Sequence, residues 1–166
     1  MNQLVQMKIL NGYADGTFLP DKSITRAEFT RIIVGALQLP LQNDSIINFK
    51  DSDKIADWAR PYIAAALKAG VITGYTDNTF GADRYVSRTE IAVMVAKATH
   101  RPVVQKPQLS FADSTRIPEW AKAYVKTAVD TGIIKGKPGN NFMPNDNATR
   151  AEAATLIVKL LDVLGM

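Results

Sequence analysis

The chain repeats itself at one fixed offset. Arg26, Arg88 and Arg150 stand 62 residues apart, and the same spacing relates Gly12, Gly74 and Gly136, Phe18, Phe80 and Phe142, and Glu28, Glu90 and Glu152. A second set keeps that spacing over two copies: Phe49 with Phe111, Asp51 with Asp113, Trp58 with Trp120, Tyr62 with Tyr124 and Gly70 with Gly132. A gapless period of this length means one supersecondary unit copied three times, each copy burying its apolar face against the others. Under that offset Met1 aligns with Ile63, so the first copy is expected to lack the segment that holds Phe, Asp and Trp in the other two. The units are read as residues 1–40, 47–100 and 109–166 of a single domain. The stretches 40–47 and 101–109, rich in Pro, Gln and Asn without helical period, join them.

Each unit reads as helix, loop, helix, which makes the chain all-α. In the second copy Trp58, Ile63, Ala66 and Leu67 share a helical face before Gly70. In the third, Trp120, Val125, Ala128 and Val129 do so before Gly132. The loop has Gly16, Asn78 and Asn140 at one position, residue types that accept positive φ, so a left-handed conformation is expected there. The second helix opens on Thr25-Arg26-Ala27-Glu28, Ser87-Arg88-Thr89-Glu90 and Thr149-Arg150-Ala151-Glu152, each with the hydroxyl and glutamate of a capping box. Apolar residues then follow at helical spacing, as in Phe29, Ile32, Ile33 and Ala36.

Composition removes several chemistries. There is no cysteine and one histidine, His100, so thiolate metal sites, cysteine nucleophiles and most imidazole catalysis are absent. No apolar run reaches the ~18 residues of a membrane span, no secretory leader is visible in the chain, and no nucleic-acid motif appears. No cofactor or metal is called for. The formal charge of +4 favours anionic partners. The repeated arginines are the anomaly, because N1 of a helix sits at the positive end of its dipole. Two readings stand: each Arg pairs with a nearby carboxylate such as Asp21 or Asp83, or it joins free helix N–H groups in an anion site. Beside it, Gly12-Tyr13-Ala14-Asp15 and Gly74-Tyr75-Thr76-Asp77 place an aromatic ring and an acceptor in the loop, whereas the third copy has Gly136-Lys137-Pro138-Gly139. These residues make either a β-turn with a local Asp acceptor or a sugar site with an aromatic platform. Trp58 and Trp120, on an apolar helical face, read as core by default.

The run Gly-Tyr-x-Asp-Gly-Thr-Phe-x-Pro followed by Ile-Thr-Arg-Ala-Glu-Phe (residues 12–20 and 24–29) strongly resembles the S-layer homology domain. Phe49 to Ala59 and Phe111 to Ala121 resemble its first-helix signature. The resemblance implies three modules in a pseudo-threefold unit, with first helices at the centre and grooves between modules. It implies a secreted protein held non-covalently to the bacterial cell wall by anionic polysaccharide bearing pyruvate ketals, and no enzymatic activity. Arg26, Arg88, Arg150, Gly12, Tyr13, Asp15, Gly74, Tyr75, Asp77, Gly136, Lys137, Trp58 and Trp120 are then the ligand-binding candidates. The alternatives are an assembly module for a surface lattice and a sugar enzyme, the latter requiring two free carboxylates. An incomplete first module is also expected to expose apolar surface, making self-association an expectation.

Overall fold

The structure is a computed structural model that describes residues 9, 10, 12, 15–43 and 46–166. Tyr13, one of the expected ligand-binding residues, lies outside them. Five α-helices are present among the described residues: α1 (Arg26–Ala36), α2 (Arg60–Lys68), α3 (Arg88–Ala98), α4 (Glu119–Asp130) and α5 (Arg150–Leu164). Short 3-10 turns occupy Ser52–Lys54 and Ser114–Arg116, and extended pairing is limited to isolated bridges. The fold is all-α.

The capping boxes are present in α1, α3 and α5. Thr25, Ser87 and Thr149 accept from the N–H of Glu28, Glu90 and Glu152, whose carboxylates in turn accept from the cap N–H. Gly16, Asn78 and Asn140 have φ of 81°, 64° and 54°, the left-handed conformation that their residue types allow.

What ties the three units together is a ring of backbone hydrogen bonds. Ile24 N–H donates to Ala148, Ala148 to Val86, and Val86 back to Ile24, at 3.0, 3.0 and 3.1 Å. All three residues are at most 1% exposed. Buried backbone groups need partners, and here each unit supplies the next one's. Two further rings follow one step along: Arg26, Arg88 and Arg150 N–H donate to the carbonyls of Arg84, Asp146 and Lys22. Ala27, Thr89 and Ala151 N–H donate to those of Ala82, Pro144 and Pro20. The helix N-termini are therefore fully partnered by protein, and the free N–H groups that an anion site would have used do not exist.

This ring brings the second helices inward. The α5 helix packs on α1 and α3, while α2 packs on α1 and α4 on α3. In α3 only Glu90 and Lys97 escape burial, whereas in α2 burial is confined to Ile63, Ala64, Ala65 and Ala66. The central helices are thus the second of each unit, not the first as the resemblance implied. Each first helix lies outside, against the second helix of the preceding unit. The physical reason is the short strand-like segment before each second helix, which closes the ring and pulls those N-termini together.

The loops are fixed by aspartates from the first-helix signature. Asp51 accepts from Phe80 N–H and Gly81 N–H, and Asp113 from Phe142 N–H and Met143 N–H, one carboxylate oxygen each at 2.7–2.8 Å. Burial pushes both carboxyls up, but the paired N–H donors outweigh it and hold them below the usual carboxylate range. Phe49 stacks on Phe80 with ring centres 5.6 Å apart, and Phe111 meets Phe142 in a tilted pair at 5.5 Å. A Cβ on Gly74 would sit 2.3 Å from the Phe49 ring, so the loop's close approach requires glycine at that position.

Candidate functional site

Three grooves open at corresponding places, each between one unit's arginine and the next unit's loop. The first is lined by Arg150, Gly12, Glu28, Arg31, Ile32 and Trp58. The second, about 350 Å³, has Arg26, Gly74, Tyr75, Glu90, Met94, Lys97 and Trp120 on its walls. The third, about 330 Å³, has Arg88, Lys135, Gly136, Lys137, Glu152 and Lys159, with no aromatic side chain among the described residues that line it. Most of the expected ligand-binding residues therefore meet in grooves: the three arginines, the three glycines, Tyr75, Lys137 and both tryptophans.

The arginines themselves are buried, at 6%, 7% and 5% exposure for Arg26, Arg88 and Arg150. In the second groove Arg26 Nη2 donates to Thr73 O at 2.7 Å and Nη1 lies 3.4 Å from Glu90 Oε1. Its guanidinium lies over Tyr75 and Phe80, 4.7 and 5.0 Å from the ring centres. In the third groove Arg88 Nε donates to Phe142 O at 2.8 Å and Nη2 to Lys135 O at 3.2 Å, with Glu152 at 3.7 Å. In the first, Arg150 Nε donates to Phe18 O at 2.9 Å. The carboxylate partners of Arg26 and Arg88 are thus the capping glutamates of the next unit, not Asp21 or Asp83. One oxygen of each glutamate caps its own helix and the other faces the groove. Sequence reasoning passed over these glutamates because a cap looked like full occupation of the group. The signal was there, since a carboxylate has two oxygens and a cap uses one.

Tyr75 and Lys137 occupy the same place in the second and third grooves but are held differently. The Tyr75 hydroxyl donates to Glu90, and the ring is flanked by Arg26 and Arg84, each 4.7 Å from its centre. Burial, and then the bond to Glu90, push its phenol up to about 12. Lys137 instead pairs with Glu152 at 3.2 Å and Asp146 at 3.4 Å.

Two expectations shift. Asp15 and Asp77 do not line the grooves: each accepts from the backbone N–H and hydroxyl of Thr17 or Thr79, which closes its own loop. The tryptophans are not core. Trp58 precedes α2 rather than lying within it, and it is 46% exposed, while Trp120 is 62% exposed. Both present a ring along a groove wall. Lys97, Lys159 and Arg31 also line grooves and were not singled out from the sequence. Under the 62-residue offset Arg31 meets Val93, whereas Lys97 meets Lys159 in the third unit and Gly35 in the first, so neither residue repeats in all three units.

The sequence model of the S-layer homology domain matches residues 1–30, 48–92 and 110–154. An amylopullulanase of Thermoanaerobacterium thermosulfurigenes is 36% identical over 167 residues, covering 98% of this chain and 9% of that protein. A surface-layer 125 kDa protein of Lysinibacillus sphaericus is 33% identical over 166 residues, covering 98% of this chain and 14% of that one. A cellulosome-anchoring protein of Acetivibrio thermocellus is 33% identical over 160 residues, covering 92% of this chain and 35% of that one. The chain thus spans a minor part of each relative. No described helix is long and apolar enough to cross a membrane.

Proposed function

The chain belongs to the S-layer homology domain family, and on that premise we propose that it is a binding module that holds a larger secreted protein on the bacterial cell wall. It does so by taking an anionic wall polysaccharide into the grooves between units, with the carboxylate of a pyruvate ketal as the recognised anion. The observation that carries this reading is the second groove. A large aromatic ring, Trp120, stands 62% exposed in a groove that also holds buried Arg26 and half-buried Glu90 and Tyr75. A soluble surface leaves an indole in water seldom without use for it, and a flat ring beside fixed polar groups suits a pyranose. The rings of hydrogen bonds that run Ile24–Ala148–Val86 act as a pseudo-threefold axis in this reading, and they set three such grooves on one body.

The relatives support attachment over catalysis. Proteins named for quite different tasks share this segment, which makes up 9%, 14% and 35% of the three named above. What such proteins have in common is a place rather than a reaction. Several weak grooves on one rigid body also add to a firm hold on a repetitive polymer. The test is sedimentation of the whole chain with purified wall polysaccharide before and after acid removal of its ketals. Co-sedimentation before and release after is the expected result. Equal retention by both preparations would remove the ketal from the reading, and retention by neither would remove the polysaccharide.

A further inference from the structure

The second groove holds two cations on unequal footing. Arg26 is enclosed by the protein: its guanidinium meets Thr73 O, Glu90 and two aromatic rings, its Nε is buried without a hydrogen-bond partner, and the residue is 6% exposed. Lys97, from the last turn of α3, lines the same groove half-buried. Its ammonium lies 5.5 Å from the centre of the Tyr124 ring on α4. Among the described residues no carboxylate pairs with it. Burial, and then the like charge of Arg26, push its pKa down, which is the sign of a cation without an anion.

The first groove builds the same arrangement from a different helix position. Arg31 of α1 lies 5.9 Å from the centre of the Tyr62 ring on α2. Tyr62 and Tyr124 are copies of each other, but Arg31 and Lys97 are not. The chain supplies a cation to both grooves from separate places, and in both it rests on the tyrosine of the following unit's first helix. A cation over a ring keeps its charge and is held in place without being neutralised.

The geometry points to Lys97 in the second groove and Arg31 in the first as the residues that take the carboxylate of the bound sugar, while Arg26 and Arg150 build the wall behind it. The inference rests on the polysaccharide reading above and names which side chain does the recognising. A carboxylate placed there gives an unpartnered cation its counter-ion, whereas at Arg26 it would have to displace Glu90.

The chain's two tryptophans make the test specific, since Trp58 lines the first groove and Trp120 the second. Their indole N–H resonances, distinguished by Trp58→Phe, are followed while a pyruvylated monosaccharide or its ketal-free parent is added. Lys97→Met is expected to weaken the pyruvylated sugar about tenfold or more at Trp120 and leave the Trp58 response unchanged. Arg31→Met does the converse, and Lys97→Arg restores the Trp120 response. The unaffected indole reports in the same sample that the variant is folded. Wild-type affinity at Trp120 in Lys97→Met overturns the inference and leaves the groove reading standing. Wild-type indoles that ignore the sugar overturn both.

Discussion

The second and third grooves are built from copied segments and differ in the side chain that meets the capping glutamate. Where the second has Tyr75 under Arg84, the third has Lys137 beside Asp146. In both, the side chain at that place reaches the capping glutamate, so the glutamate is what the fold must satisfy. A phenol satisfies it with one hydrogen bond and leaves an apolar ring between two guanidiniums. A lysine satisfies it with charge and needs a second carboxylate for itself. The first solution puts an aromatic ring beside the glutamate and the second puts a charged ammonium there. One scaffold therefore carries grooves of different chemistry, and the difference lies in the side chain that meets the capping glutamate.

The largest expected effect separates the two glutamates by what remains when their arginine is removed. Arg26→Ala leaves Glu90, whose side chain is 15% exposed, with the neutral Tyr75 hydroxyl beside it. Breaking a buried ion pair in this way costs about 3–5 kcal/mol. Arg88→Ala leaves Glu152 still paired with Lys137 at 3.2 Å, so a smaller loss is expected. Urea denaturation of the two variants measures the gap. Equal losses would mean that Lys137 does not stand in for the arginine, and the contrast between the grooves would fail at its centre. In either variant the loss of sugar binding would follow from a disturbed wall, which is why Lys97 is the cleaner probe of recognition.

A smaller effect tests whether the loops beneath the two grooves are truly alike. Asp51→Ala and Asp113→Ala each leave two backbone N–H groups without their carboxylate, at a cost on the order of 3 kcal/mol, and the two losses should match. Both carboxyls are held below their unfolded value, so their stabilisation is complete above that value, near pH 4. It fades as pH falls through the lower folded one. Denaturation midpoints measured from pH 6 down to pH 2 should therefore fall for the wild type and fall less for either variant. A flat wild-type profile would deny the clamp.

These aspartates also mark what the sequence made legible. The period, the capping boxes and the left-handed loop position are local, and local residue chemistry is enough to read them. The 62-residue offset paired Asp51 with Asp113 but gave no partner for either, because the loop each one holds lies about thirty residues further on. The same limit hid the meeting of Arg26 and Arg88 with the next unit's glutamates. It also hid the inward turn of the second helices, since ring closure across three units leaves no mark in any one of them. Trp58 and Trp120 were misread for a different reason: helical spacing says which face a residue shares, not whether another element covers that face. Arg31 has no copy at the 62-residue offset, and Lys97 recurs as Lys159 but meets Gly35 in the first unit, so neither shows the threefold recurrence that marked the arginines.

The smallest effect concerns the phenol alone. Tyr75→Phe keeps the ring between Arg26 and Arg84 and removes only the hydrogen bond to Glu90, for a loss of about 0.5–1.5 kcal/mol at neutral pH. Its pH dependence is the sharper reading. The Tyr75 hydroxyl stands at about 12 when folded, above the ordinary value of 10.0, because burial and Glu90 both disfavour the phenolate. A raised folded value means that its stabilisation is fully present below the unfolded pKa and is lost as pH rises through the folded one. Between those two values the wild type should lose stability relative to Tyr75→Phe, so that the gap between them narrows on the alkaline side. The third groove has no phenol there, and Lys137→Met should produce no such narrowing by this route. A constant gap from pH 7 to pH 11.5 would show that the hydroxyl is not held as described, and the contrast with the third groove would then rest on the Tyr75 ring rather than on its hydrogen bond.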